Sequence, residues 1–281
     1  MTNTIHLVDG EIGGVGKSMW SCLLVEYNNK YDFLYTLIDG DAGNPNVQQR
    51  YPESAKIITL AEDEENFEAD IIFETALQAP VIVNLPARVS SIIDGWIETA
   101  GLLTASFKEK SGIDVCKWFL CSGRADSIEM FLESVNRFQG RLKHILVRNF
   151  GVCKDWSHLS SHKNLNKLLE EHSILVVDLP KLSALERRLL DTNKSLSLTG
   201  ALSHPSFHLL NQQRMYTFLE NTCDAIEATR IFNQAPYRPN LKSENRSRSV
   251  VVQDIKKQPS DEAVLDTEEH QSAGAVPDST T

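Results

Sequence analysis

The run His6-Leu7-Val8-Asp9-Gly10-Glu11-Ile12-Gly13-Gly14-Val15-Gly16-Lys17-Ser18 carries the residue types that hold a phosphate. Gly13, Gly14 and Gly16 let the backbone come close to an anion and turn N–H groups toward it. A helix beginning after Gly16 adds the positive end of its dipole. Lys17 brings a point charge for β- and γ-phosphates, and Ser18 a hydroxyl for Mg2+. A strand before the run and a helix after it give the motif its context. Residues 10–18 therefore read as a nucleoside triphosphate loop, with Gly13, Gly14, Val15, Gly16, Lys17, Ser18 and Met19 as the expected cofactor-binding set. A second pair, Asp39 and Asp41, ends the apolar run Leu37-Ile38-Asp39-Gly40-Asp41. Carboxylates at a strand's carboxyl end can hold Mg2+ through water, although an ordinary Asp-Gly turn uses the same residues.

These residues need a scaffold, and the chain alternates strand-like and helix-like segments over its first 230 or so residues. Apolar runs at 4–8, 33–39, 81–85, 115–121, 144–149 and 174–179 read as strands. Helical patterns fill 18–27, 92–107, 127–138, 165–172 and 182–191, and a long closing helix spans 207–231. Such alternation predicts an α/β fold with a mostly parallel sheet and helices on both faces. Right-handed crossovers then gather the loops after the strands on one rim, where ligands bind.

Residues 1–233 are expected to form one nucleotide-binding domain. Composition shifts at about residue 234, where Pro236, Pro239, Ser243, Ser247 and Ser249 punctuate a polar stretch. Residues 234–281 are read as a disordered tail, basic and then acidic. Its basic half can touch DNA or anionic lipid, or act only as a solvated linker.

The chain has 281 residues, 41% of them hydrophobic, and a formal net charge of −10. An acidic chain is poorly suited to non-specific DNA binding, so any DNA contact is expected to be indirect or through the tail. No apolar run reaches the ~18–20 residues of a membrane span, and Met1-Thr2-Asn3-Thr4 does not resemble a signal peptide. The five cysteines lack metal-ligand or redox spacing and read as reduced thiols of a cytoplasmic protein. The histidines show no metal spacing either, and His6 reads as a core or edge residue. Trp96, Trp118 and Trp156 read as packing residues, and the acidic run 62–65 as a helix start.

The phosphate loop resembles the deviant P-loop of the ParA/MinD family, Lys-Gly-Gly-x-Gly-Lys-Ser/Thr. Ile12 stands at the position of the family's signature lysine, which there reaches the partner subunit's phosphates in an ATP-sandwich dimer. Isoleucine cannot do this, so a homodimer of that kind lacks its signature contact. The resemblance extends over most of the first 230 or so residues. It implies ATP and Mg2+ as ligands, with Asp41 placing the attacking water beside Lys17, and Ser18 and Asp39 on the metal side. Val81-Ile82-Val83-Asn84-Leu85-Pro86-Ala87 resembles the switch II strand, with Asn84 at the position of the usual carboxylate. An amide can accept a hydrogen bond from metal-bound water but carries no charge, which predicts slow hydrolysis or binding without turnover. The resemblance also places Asn149 on the adenine edge and the Pro180 loop against the base. A strand-ending Asn can equally cap the next turn.

Within the family, the short switch II and the runs Ser122-Gly123-Arg124-Ala125-Asp126-Ser127 and Asn149-Phe150-Gly151-Val152-Cys153-Lys154-Asp155-Trp156 look most like plasmid mobilisation or stability ATPases of the MobD, TraL and StbB kind. It implies a nucleotide switch working with plasmid transfer or segregation proteins. Two other readings stand beside it: a nucleotide-binding adaptor without hydrolysis, and a P-loop small-molecule kinase or ligase.

Overall fold

A computed structural model describes residues 3–10, 13–60 and 68–232. Ile12, the acidic run 62–65 and the tail 234–281 lie outside the described residues.

The strands are β1 (Asn3–Asp9), β2 (Thr36–Asp39), β3 (Ala55–Ile57), β4 (Val81–Asn84), β5 (Ile113–Cys121), β6 (Lys143–Asn149) and β7 (Leu175–Leu179). They form one seven-stranded sheet in the order β3-β2-β4-β1-β5-β6-β7. Every pairing between these strands is parallel, and an isolated antiparallel bridge joins Asp41 to Thr59. The helices are α1 (Lys17–Lys30), α2 (Asn46–Arg50), α3 (Glu68–Ala76), α4 (Ser90–Thr99), α5 (Ala105–Ser111), α6 (Ala125–Phe138), α7 (Ser157–Ser160), α8 (Lys163–Glu171), α9 (Ala184–Thr192) and α10 (Leu209–Glu227). This is the expected α/β architecture. β1 and β4 are buried along nearly their whole length because both faces of the sheet are covered.

One face packs Val8, Leu37, Ile82, Trp118 and Val147 against Trp20, Leu23 and Leu24 of α1 and Met215, Leu219 and Ile226 of α10. The other packs Ile5, Leu7, Val83 and Val115 against Ile72 of α3 and Ile93 and Ile97 of α4. Phe119 and Leu146 continue that face under Ile128, Phe131 and Val135 of α6. His6 belongs to the α1 face. It accepts a hydrogen bond from Trp118 Nε1 at 3.3 Å on Nδ1 and lies 4.4 Å from the Phe232 ring.

Besides the short helices α2 and α7, which the sequence reading does not contain, two stretches differ from it. The single helix expected over 92–107 is two helices, α4 and α5, separated at Gly101, whose φ is +65°. A residue in that region interrupts helical hydrogen bonding, and apolar spacing alone does not register the break. The short strand β3 has no counterpart in the reading, because its Lys56 and Ile57 are exposed at the sheet edge and show no buried run.

Candidate nucleotide site

The chain leaves β1 at Asp9 and enters α1 at Lys17, at the carboxyl-end rim of a parallel sheet. β1 lies between β4 and β5, with consecutive strands to either side, so the loop opens where the strand order reverses. Gly10 has φ +153°, and a Cβ there would lie 2.7 Å from the Leu120 carbonyl oxygen. Gly16, at the head of α1, has φ +105°, and a Cβ there would lie 2.6 Å from Asn149 Nδ2. Glycine is therefore required at Gly16 both by backbone conformation and by space. Gly13 and Gly14 are exposed, and a Cβ at either would meet nothing within 4 Å. Lys17 is 8% exposed and donates from Nζ to the Gly10 carbonyl at 2.6 Å, so its charge is held inside the curve of the loop. Ser18 follows in the first turn of α1, half-buried.

Asn149, at the end of β6, holds the loop from the other side. Its Nδ2 donates to the Val15 carbonyl at 2.7 Å, and its Oδ1 accepts from Gly151 N–H at 2.8 Å. One N–H and one lone pair of the amide remain for another partner. Gly16, Met19, Asn149, Gly151, Val152, Leu179, Leu182 and Arg187 line a recess beside the head of α1. Met19 and Asn149 thus meet at one place, whereas Pro180 itself is not among the lining side chains although Leu179 and Leu182 are. Arg187 was not anticipated. An arginine on the amphipathic helix α9 reads in sequence as a solvated charge.

The β2 and β4 ends are joined directly. Asn84 Nδ2 donates to Asp39 Oδ1 at 2.8 Å, and Asn84 Oδ1 accepts from Ser21 Oγ of α1 at 3.2 Å. Asp39 Oδ2 also accepts from the N–H groups of Val47 and Gln48 at 3.0 and 2.9 Å, while Oδ1 accepts from Asp41 N–H at 3.3 Å. Asp39 therefore caps the first turn of α2 and is fully buried. Asp41 is half-buried, and its Oδ1 accepts from Asn44 N–H at 3.2 Å. Of the three residues expected to hold Mg2+, Asp39 and Asn84 are hydrogen-bonded to each other, and only Ser18 sits in the loop. The donor set does not fit direct coordination of a cation by Asp39 and Asn84. Among the described residues no group of three or more His, Cys, Asp or Glu is arranged to hold a metal.

A buried ionic cluster lies against the start of the loop on the opposite face of the sheet. Asp9 accepts from Gly10 N–H at 2.7 Å and from Ser90 Oγ at 3.1 and 3.0 Å on its two oxygens. Lys117 Nζ of β5 lies 3.1 Å from Asp9 and 2.6 Å from Asp94 of α4. Ser134 Oγ of α6 lies 3.4 Å from Lys117 Nζ and 3.0 Å from His144 Nε2. Burial alone would raise the Asp9 carboxyl, but Lys117, the Gly10 amide and Ser90 more than offset it and hold Asp9 below the usual carboxylate range. Burial, only partly offset by Lys117, raises Asp94. Burial disfavours the Lys117 ammonium, yet the two carboxylates hold its pKa above the ordinary lysine value. The sequence does contain a signal for this cluster, a lysine inside the apolar run Val115-Cys116-Lys117-Trp118-Phe119. A charge at such a position needs a buried partner.

The 10–17 connection, Asn149 and the strand-end rim thus adjoin one another. No family model matches the chain. Protein MobD of Acidithiobacillus ferrooxidans is 28% identical over 187 residues, covering 65% of this chain and 80% of that protein. The chain resembles MobD and the ParA/MinD-type P-loop ATPases. Among solved structures, the MinD cell division protein of Aquifex aeolicus matches 80% of this chain and 97% of its own, at 13% identity and a TM-score of 0.45. A complex of a Cyanothece McdA variant with ATP matches 78% of this chain and 96% of its own, at 12% identity and a TM-score of 0.41. Among the described residues no helix is long and apolar enough to cross a membrane.

Proposed function

We propose that the chain binds ATP, with the triphosphate in the loop 10–18 and the base in the recess between Met19, Asn149 and Leu182. One observation carries this reading: a glycine-built loop at the head of α1 holds a nearly buried Lys17 and is braced by Asn149. A bound triphosphate would compete with the Gly10 carbonyl for the Lys17 ammonium and take up the N–H groups at the head of α1. The similarity to MobD supports a role in plasmid mobilisation, conjugal transfer or plasmid maintenance, and we infer that the chain serves it as a nucleotide switch working in the cytoplasm with protein partners.

Turnover is expected to be slow. Asp41 is the candidate for placing a water, but the neighbouring carboxylate of Asp39 is committed to α2 and to Asn84. That commitment also favours a second reading, an adaptor that binds ATP without hydrolysing it. Calorimetric titration of the full chain and of Lys17→Ala with ATP, with phosphate release followed in the same samples, tests both. Binding that is lost in Lys17→Ala supports the site. Slow release supports the switch and no release supports the adaptor. Absence of binding by the parent chain overturns the assignment.

A further inference from the structure

We propose that the Asn84–Asp39 hydrogen bond takes the place of a divalent cation at the β2–β4 rim, so that the chain binds ATP without needing a metal. The inference rests on the nucleotide reading above and concerns what that site requires.

A carboxylate offers about four lone-pair sites. Those of Asp39 are taken by the Val47 and Gln48 N–H groups at 3.0 and 2.9 Å, by Asn84 Nδ2 at 2.8 Å and by Asp41 N–H at 3.3 Å. A cation at Asp39 would have to displace one of these bonds from a fully buried group and leave its donor unpaired. Asn84 is no better a ligand. The atom it turns toward Asp39 is the amide nitrogen, a donor that repels a cation, and its oxygen is held by Ser21 Oγ at 3.2 Å. Ser18 leaves a single protein hydroxyl near the loop, so any Mg2+ arriving with ATP would complete its octahedral set from the phosphates and water and not from this rim.

The amide also explains how the two strand ends can lie so close. Were residue 84 an aspartate, two carboxylates at hydrogen-bond distance would have to share a proton or a cation. The amide supplies a neutral donor in that position. The link between β2 and β4, and with it the start of α2, is then in place whether or not nucleotide is bound. Ser21 extends the link to α1, the helix that carries Lys17.

The test is a calorimetric titration of the full chain with ATP, once in excess magnesium and once in EDTA. The affinity is expected to differ by less than about threefold between the two media. Weakening by about tenfold or more in EDTA would overturn the proposal while leaving the nucleotide site intact. Absence of binding in both media would overturn the nucleotide reading together with it. Asn84→Asp is expected to gain a metal requirement, binding ATP at least about tenfold more tightly in magnesium than in EDTA. Asn84→Ala, which removes the link without adding a charge, is expected to weaken binding equally in both media. Titration with MnCl2 alone gives a readout free of nucleotide. The parent chain is expected to show no binding heat and Asn84→Asp to show saturable binding, whereas saturable binding by the parent chain would count against the proposal.

Discussion

The Lys117 ammonium lies 3.1 Å from the Asp9 carboxylate, and both side chains are almost entirely shut away from solvent. Asp9 in turn holds the Gly10 N–H, so a buried ion pair fixes the first amide after β1. Removing one partner leaves an uncompensated charge in the interior. Lys117→Met strands Asp9 and leaves Asp94 only the Arg137 guanidinium 3.9 Å away, and urea denaturation is expected to show a loss of about 3–5 kcal/mol. The Asp9→Asn/Lys117→Met/Asp94→Asn variant, which removes all three charges, is expected to recover most of that stability. If the triple variant is no more stable than Lys117→Met, the stranded carboxylates are not the cause.

Asn149 ties β6 to the loop across a long stretch of chain. In Asn149→Ala the buried Val15 carbonyl loses its donor, at a cost of about 1–3 kcal/mol. ATP affinity is expected to fall together with the midpoint of chemical unfolding. An affinity equal to that of the parent chain would show that the loop keeps its shape without the brace.

Gly16→Ala tests conformation and space at one position. The new Cβ would lie 2.6 Å from Asn149 Nδ2 on a backbone at φ +105°. Strain of about 1–3 kcal/mol is expected, with loss of ATP binding. Pairing it with Asn149→Ala relieves the clash but not the backbone strain. The double variant is therefore expected to regain part of the lost stability.

Acid stability follows from two buried histidines. Burial, with a contribution from Lys143, pushes His6 down to about 3. Burial and the nearby Lys117 do the same to His144, also to about 3. Both rings are neutral in the folded chain, whereas in the unfolded chain they take up protons below about pH 6.5. Between about pH 6.5 and pH 3 the unfolded state therefore binds more protons, and stability falls as pH falls. The limiting slope is about 1.4 kcal/mol per pH unit for each histidine. Thermal melts from pH 7.5 to 4.5 are expected to show this decline, and His6→Gln/His144→Gln is expected to flatten it. An unchanged slope in the double variant would assign the acid sensitivity to other groups.

The strands that carry the site were readable because each is a short apolar run covered on both faces, and β1, β4, β5 and β6 fall close to their expected bounds. β3 was not readable. It has three residues at an edge, and its place comes from pairing with β2 rather than from any pattern of its own. The break at Gly101 was missed for a related reason, since the apolar positions of α4 and α5 face the same core and so look continuous.

The glycine-rich run between β1 and α1 and the alternation of strands and helices are legible from sequence because both are written in neighbouring residues. Glycine spacing, a lysine at a helix start and apolar runs act over a few positions and need no distant partner to be recognised. What holds the loop emerges only once distant strands have become neighbours. Asn149 meets Val15 from 134 residues away, and Asn84 meets Asp39 from 45 residues away. Lys117 reaches Asp9 only because β5 lies beside β1. Side-chain hydrogen bonds and buried charges depend on which strands become neighbours. Strand order is set by how the whole chain covers both faces of the sheet, not by any segment taken alone.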